Sequence, residues 1–135
     1  MITTYFLNCL MGNAFGTQTV PPLPEKYYIG LSLTEPTSDG TGVTEPSDDA
    51  YERIELTSLS MPNNGTISNI DDILFPAAVE DWGHVSHYAV FDSLTDGNLL
   101  LANSFFDSSH VDVGRAVRIK AGTLEFTLKN INEIA

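Results

Sequence analysis

His84 and His87, with Glu80, Asp81 and Asp92 close by, are the group of residues in this chain with the donor types for a transition-metal site or for general-base work. Their spacing works against a shared site. Strand residues three apart point to opposite faces, so the two imidazoles converge only if Gly83-His84 lies in a turn. No second set of metal ligands accompanies them, and His110 falls in another predicted loop. Structural or hydrogen-bonding roles therefore come ahead of metal binding.

A second set of donors lies between Thr34 and Asp49, where Glu35, Asp39, Glu45, Asp48 and Asp49 offer the carboxylate oxygens that calcium prefers. The EF-hand pattern is missing: Asp39-Gly40 lacks the alternating Asp/Asn ligands and the terminal Glu. A solvated, self-repelling loop without a cofactor is the expected state, and calcium there is the lesser reading. Trp82, beside Gly83 at the start of a strand, offers a third chemistry. Its ring could stack on a sugar, with Tyr28 and Tyr51, and then Tyr27 and Tyr88, widening the platform. The competing reading, which takes precedence, has Trp82 plug one end of the fold while Pro76 and Gly83 shape the chain around it. Covalent catalysis has no foundation, because there is no Gly-x-Ser-x-Gly elbow and Ser86-His87 are strand neighbours pointing apart. Gly40-Thr41-Gly42 has no following helix or lysine to hold a phosphate. The expectation is no catalytic residue and no enzyme.

The elements that must position these residues are short strands. In Val85 to Phe91, one face carries Val85, His87, Ala89 and Phe91 and the other Ser86, Tyr88 and Val90; both are largely apolar, as in a strand covered on two sides. Asp96-Gly97 then predicts a hairpin turn into Leu99-Leu100-Leu101. Lys26 to Leu33 alternates Tyr27, Ile29, Leu31 and Leu33 against Tyr28, Gly30 and Ser32, which puts the larger aliphatics on one face and reads as a strand. Tyr51 to Thr57 reads as another, with one mostly wet face, and Asn64-Gly65 marks a turn. Ile73 to Phe75 is a strand that Pro76 should end. Ala116 to Lys120 and Thr123 to Lys129 complete the set, with Val117, Ile119, Leu124, Phe126 and Leu128 as inward residues. The stretch 34–49, rich in Pro, Gly, Ser, Thr and acids, should be a long surface loop unable to supply a core face. Residues 2–11 have the spacing of a short helix, with Gly12 as its stop, and Pro21, Pro22 and Pro24 predict an extended connection that separates the helix from the body.

About seven short strands and one helix predict an all-β fold, an antiparallel β-sandwich of jelly-roll-like kind with a short N-terminal α-helix. The organisation expected is a helix over 1–15 serving assembly, a Pro-rich connection over 16–25, and a single sandwich domain over 26–135. At 135 residues and 42% hydrophobic, the chain can bury a core without metals or disulfides, and its single cysteine, Cys9, reads as a buried structural thiol. Eighteen acidic against six basic residues give a net charge of −12, which disfavours nucleic acid and anionic membrane surfaces and favours solubility. The N-terminal run is neither a signal peptide nor a membrane span, so no membrane insertion and synthesis in a cytoplasm are expected.

An ordered set of segments also carries a family resemblance: Tyr28 to Leu31, Tyr51 to Leu56, Ile73 to Asp92, Gly97 to Leu101 and Ile119 to Leu128. In that order they resemble a family of small tailed-bacteriophage virion proteins labelled tail fibre or minor structural proteins. The resemblance runs through roughly three-quarters of the chain. It implies a non-enzymatic, β-rich phage or prophage protein of the tail tip, fibre or collar, assembled in the host cytoplasm and located in the virion. Other virion proteins and further copies of itself would be its partners. The alternative is a carbohydrate-binding module reading a host-surface glycan through Trp82, Tyr28 and Tyr51.

Overall fold

The computed structural model describes residues 1–16 and 20–128. One helix, α1 (Thr4–Ala14), precedes eight strands: β1 (Tyr28–Ser32), β2 (Ile54–Glu55), β3 (Thr66–Ser68), β4 (Ile73–Leu74), β5 (Gly83–Phe91), β6 (Leu99–Val111), β7 (Arg118–Ile119) and β8 (Glu125–Thr127). The all-β antiparallel class with one short N-terminal helix is the one expected. The main sheet has the order β2-β1-β5-β6, and β3-β8 and β4-β7 form two separate ribbons. Ile29 and Leu31 of β1, Tyr88 and Val90 of β5, Ile73 of β4, Ile119 of β7 and Leu124 beside β8 share one apolar core, so both ribbons close over the same side of the sheet.

The other side of the sheet carries a smaller core of Ala89, Phe91, Leu99 and Ala102, against which Val43 packs. Val43 belongs to the acidic stretch, so the prediction that 34–49 supplies no core face is corrected. Pro36, Pro46 and Asp48 of the same stretch are buried as well. What orders the stretch is hydrogen bonding rather than apolar content. Leu33 N donates to Thr44 O at 2.8 Å, Thr44 N to Ser32 Oγ at 3.0 Å, and Thr37 N to Thr41 O at 2.8 Å. Asp39 accepts from Thr41 N, Thr41 Oγ1 and the Thr37 hydroxyl, which holds its carboxyl down at about 2.

Strict alternation along β5 fails at one point. Val85 lies opposite Ser109 but His87 lies opposite Ser104, so β6 carries three extra residues across this step. A bulge shifts side-chain facing. Val85 therefore joins Tyr88 and Val90 in the main core instead of sharing a face with Ala89 and Phe91. A second irregularity lies between Val90↔Leu101 and Phe91↔Leu99, and there the neighbours Leu100 and Leu101 both meet the main core while Leu99 lies in the smaller one. The connecting turn has the predicted form, with positive φ at Asp96 (53°) and Gly97 (73°).

The N-terminal helix is not set apart from the body. Thr3 caps it, its hydroxyl accepting from Phe6 N at 3.2 Å and donating toward Leu99 O and Leu100 O. Phe6 and Cys9 lie in the main core, and Ile2 bridges Leu101 at the edge of β6. Gly12 does not stop the helix, which runs on to Ala14. A Cβ at Gly12 would fall 2.2 Å from a Val20 methyl, so the glycine admits the returning chain against the helix. Cys9 is buried, its thiol 3.2 Å from Pro21 O. At the other end Leu124 is buried and Phe126 packs on the core, but Leu128, expected inward, is 72% exposed. Lys129 and the rest of the expected domain to 135 lie outside the described residues.

Candidate functional site

Of the three predicted ligand contacts, none forms an open platform. Trp82 is 3% exposed and its Nε1–H donates to Asp48 Oδ2 at 2.9 Å. Tyr51 stacks on Phe75 (centroids 6.4 Å, interplanar 5°) and meets Trp82 edge-on at 5.6 Å. Tyr28 is half-buried on β1. This arrangement suits packing: the indole closes the core below the start of β5. Asp48 holds that end together, since its Oδ2 also accepts from Val79 N (2.7 Å) and Glu80 N (2.9 Å), and its Oδ1 accepts from Ala50 N. The backbone donors of Ala50 and Glu80, then Trp82 and Val79, keep this carboxyl well below the usual carboxylate range, against the opposing effect of burial.

The expected wet face of the 51–57 strand holds a buried polar cluster instead. β2 pairs with only Tyr28 and Ile29 of β1, so Leu31 N lacks a strand partner on that edge and donates to Tyr51 Oη at 3.0 Å. The Tyr51 hydroxyl donates in turn to Glu45 Oε1 at 2.6 Å. Glu45 takes a two-pronged bond from Arg53, Nε to Oε1 and Nη2 to Oε2, both at 2.9 Å. Arg53 Nη1 reaches Ser93 O (2.7 Å) and Asp96 O (2.9 Å), and its guanidinium lies 3.5 Å from the Phe91 ring centroid. Gly30 makes room for all of this. A Cβ there would come within 2.6 Å of Tyr51 Oη and 2.9 Å of Glu45 Oε1.

These groups set the pH window of stability. Burial would raise Glu45, but bonds from Arg53 and Tyr51 outweigh it, and the carboxyl ends below its ordinary value, as Asp48 does. Unfolding then takes up protons as pH falls below about 4, so stability that is complete above that point is lost on further acidification. Tyr51 is held above its ordinary value by burial and by its bond to Glu45. The unfolded chain releases that proton above about pH 10, and stability falls there too. Urea midpoints measured across pH should be flat near neutrality and decline on both sides. Glu45→Gln should flatten the acid limb and Tyr51→Phe the alkaline one; unchanged limbs in both variants would contradict the assignment.

Of the loop carboxylates considered for calcium, Glu45 and Asp48 face inward and Asp39 is held within its own turn. Glu35 and Asp49 remain exposed. His84 and His87 do not converge. His87 lies opposite Ser32 and Ser104, with Ser86 Oγ 2.7 Å from its Nδ1. His110, predicted in a loop, is in β6 directly across from His84, with ring centroids 5.0 Å apart. Its Nε2 lies 2.8 and 2.9 Å from the two oxygens of Asp81 and 3.1 Å from Asp112 Oδ1. Asp81 is lowered by His110 and then by the Gly83 N–H, and His110 is raised by Asp81 first. Asp81 and His84 were legible as candidates. His110 and Asp112 were not, because only the β5-β6 register brings them alongside.

A further surface feature lies on α1. Phe6, Cys9 and Gly12 face the body, while Leu7, Met11 and Phe15, spaced by four, are 43%, 57% and 80% exposed along the opposite side. No charged side chain occurs in residues 1–24. No curated protein sequence matches the chain. A family model described as podophage GP4 fiber I protein gp80 matches residues 1–127, from the strand-edge contact before α1 to the end of β8, and the chain therefore belongs to this family of phage fibre proteins.

Proposed function

We propose that this chain is a non-enzymatic structural subunit of the phage fibre, acting in particle assembly or host attachment, and that it self-associates through the outer face of α1. Membership of a fibre family makes it a virion component with other virion proteins as neighbours. The observation that carries the self-association reading is the Leu7-Met11-Phe15 stripe. In a chain of net charge −12, two copies repel wherever their acidic surfaces meet. The first 24 residues carry no acidic side chain, so a second copy can approach there without that cost, and burying three large apolar side chains is favourable. A closed symmetric contact of this kind is the usual form for a homo-oligomer.

Truncating the helix would be a poor test, because it would also remove Phe6 and Cys9 from the core. Substituting only the outward residues avoids this. Wild type should sediment as an oligomer with a melting temperature that rises with protein concentration, and Leu7→Ser/Met11→Ser/Phe15→Ser should sediment as a monomer with an unchanged circular dichroism spectrum and a concentration-independent melting temperature. A monomeric wild type, or a triple variant that keeps the oligomer, would contradict the proposal.

A further inference from the structure

Asp81, His110 and Asp112 place one imidazole nitrogen and two carboxylate oxygens within 4.8 Å of one another at the open end of the β5-β6 pair. From the geometry we propose that these three residues, with the His84 ring beside them, bind a divalent first-row transition cation of the zinc class.

Three features support a site rather than a chance meeting of surface charges. The first is the spacing. Donors bound at about 2.0–2.2 Å to one tetrahedral or octahedral cation stand roughly 3.0–3.5 Å apart. His110 Nε2 is already 2.8 Å from Asp81 Oδ1 and 3.1 Å from Asp112 Oδ1, and all three ligand atoms lie within 4.8 Å of one another, so side-chain adjustment of these exposed groups can admit the ion. The second is the ligand chemistry. One imidazole with two carboxylates suits zinc, manganese or nickel better than calcium or magnesium, which take oxygen ligands. His110 is in β6, Asp112 directly follows its last residue Val111, and Val111 pairs with Gly83 two residues after Asp81, so the end of the β5-β6 ladder brings the three donors together. The third is that the framework is fixed independently. Gly83 N donates to Asp81 Oδ1 at 2.7 Å, and Trp82 N donates to Val111 O at 3.0 Å. Trp82 itself is anchored on Asp48. Two ligands therefore flank a backbone clasp that is present without the ion. Arg115 Nη1 donates to the His110 carbonyl oxygen at 3.4 Å. Ligation would exchange the hydrogen bonds at His110 Nε2 for a bond to the cation, releasing any proton held there. It would tie the 79–83 segment to the end of β6.

The test is titration of the full chain with zinc chloride, followed by calorimetry at about pH 7.5, where a free imidazole is mostly neutral. His110→Ala, Asp112→Asn and the control His87→Ala are titrated beside it. Wild type and His87→Ala should each bind one equivalent, with binding at least about tenfold weaker in the other two. Zinc should also raise the melting temperature of wild type, and raise that of Asp112→Asn less at the same zinc concentration, since a ligand that binds the folded chain adds stability that grows with its affinity. A wild type with no saturable binding would overturn the proposal. So would binding that survives intact in His110→Ala, or that is lost equally in His87→Ala.

Discussion

Trp82→Ala is expected to remove about 4 kcal/mol of folding stability, within the range for truncating a buried large aromatic. The indole is 3% exposed, meets Tyr51 edge-on and fills the space below the start of β5. Its removal also takes one of the four donors from Asp48, which stays ionised in the folded chain. A domain of this size has a total stability of about 5–15 kcal/mol, so the variant should be close to unfolded at physiological temperature. Trp82→Phe separates the two contributions, since it keeps most of the apolar volume and loses only the Nε1–H. It should fall between wild type and Trp82→Ala. Equilibrium urea denaturation followed by circular dichroism measures all three. A Trp82→Ala protein as stable as wild type would show that the residue does not pack as described and would restore it as a candidate for ligand contact.

The second large effect is expected at Glu45 and Gly30. Glu45→Gln keeps the shape of the side chain but leaves the Arg53 guanidinium, 6% exposed, without its counter-charge. Breaking one partner of a buried pair costs about 3–5 kcal/mol. Because Arg53 keeps Ser93 O and Asp96 O, the lower end, about 3 kcal/mol, is expected. Gly30→Ala should do comparable damage without touching a charge, by pushing Tyr51 Oη and Glu45 Oε1 off the β1 edge. The two effects should not add, since both substitutions dismantle the same cluster. A double variant as unstable as the sum of the singles would mean that Gly30 acts elsewhere. The cluster joins β1, the 34–49 stretch and the β5-β6 turn, three segments that share no continuous apolar core.

The contrast between regular strands and these polar features explains which parts of the fold are legible in the chain. β1 and β5 carry enough apolar residues at alternate positions for period-2 reading to find them, and Asn64-Gly65 and Asp96-Gly97 mark turns because few other residues adopt positive φ there. β6 is a different case. Its first part, Leu99 to Leu101, is visible, but the polar residues that follow have no apolar period, and Asn103, Ser104 and Ser109 are in a strand because β5 offers them a ladder. A bulge cannot be read from periodicity at all. Across it Val85 lies in the core of Tyr88 and Val90, where unbroken alternation would have placed it with Ala89 and Phe91.

The same limit applies to the candidate sites. Asp81 and His84 stand close in sequence and invite attention, but their neighbours His110 and Asp112 lie a whole hairpin away. The acidic stretch reads as a repelling loop because composition counts charges and not partners. Glu45 meets Arg53 and Tyr51, and Asp48 meets four N–H donors, so two of its five acids hold the fold together. Trp82 shows the reverse. Its residue type suits a sugar platform, and only the burial of the ring and the bond to Asp48 direct it inward. The family resemblance was legible because it depends on the order of several strand and turn segments, which survives uncertainty over any single contact. The outer face of α1 was half-legible: the helix could be read, but which of its apolar residues the body would leave uncovered depended on the docking of Phe6 and Cys9.

Immunogold electron microscopy of purified particles, with an antibody raised against the full chain, tests most directly whether this chain is a subunit of the phage fibre. Gold at the fibres is the result predicted; particles that carry no label, although the antibody detects the chain in the infected cell, would contradict it.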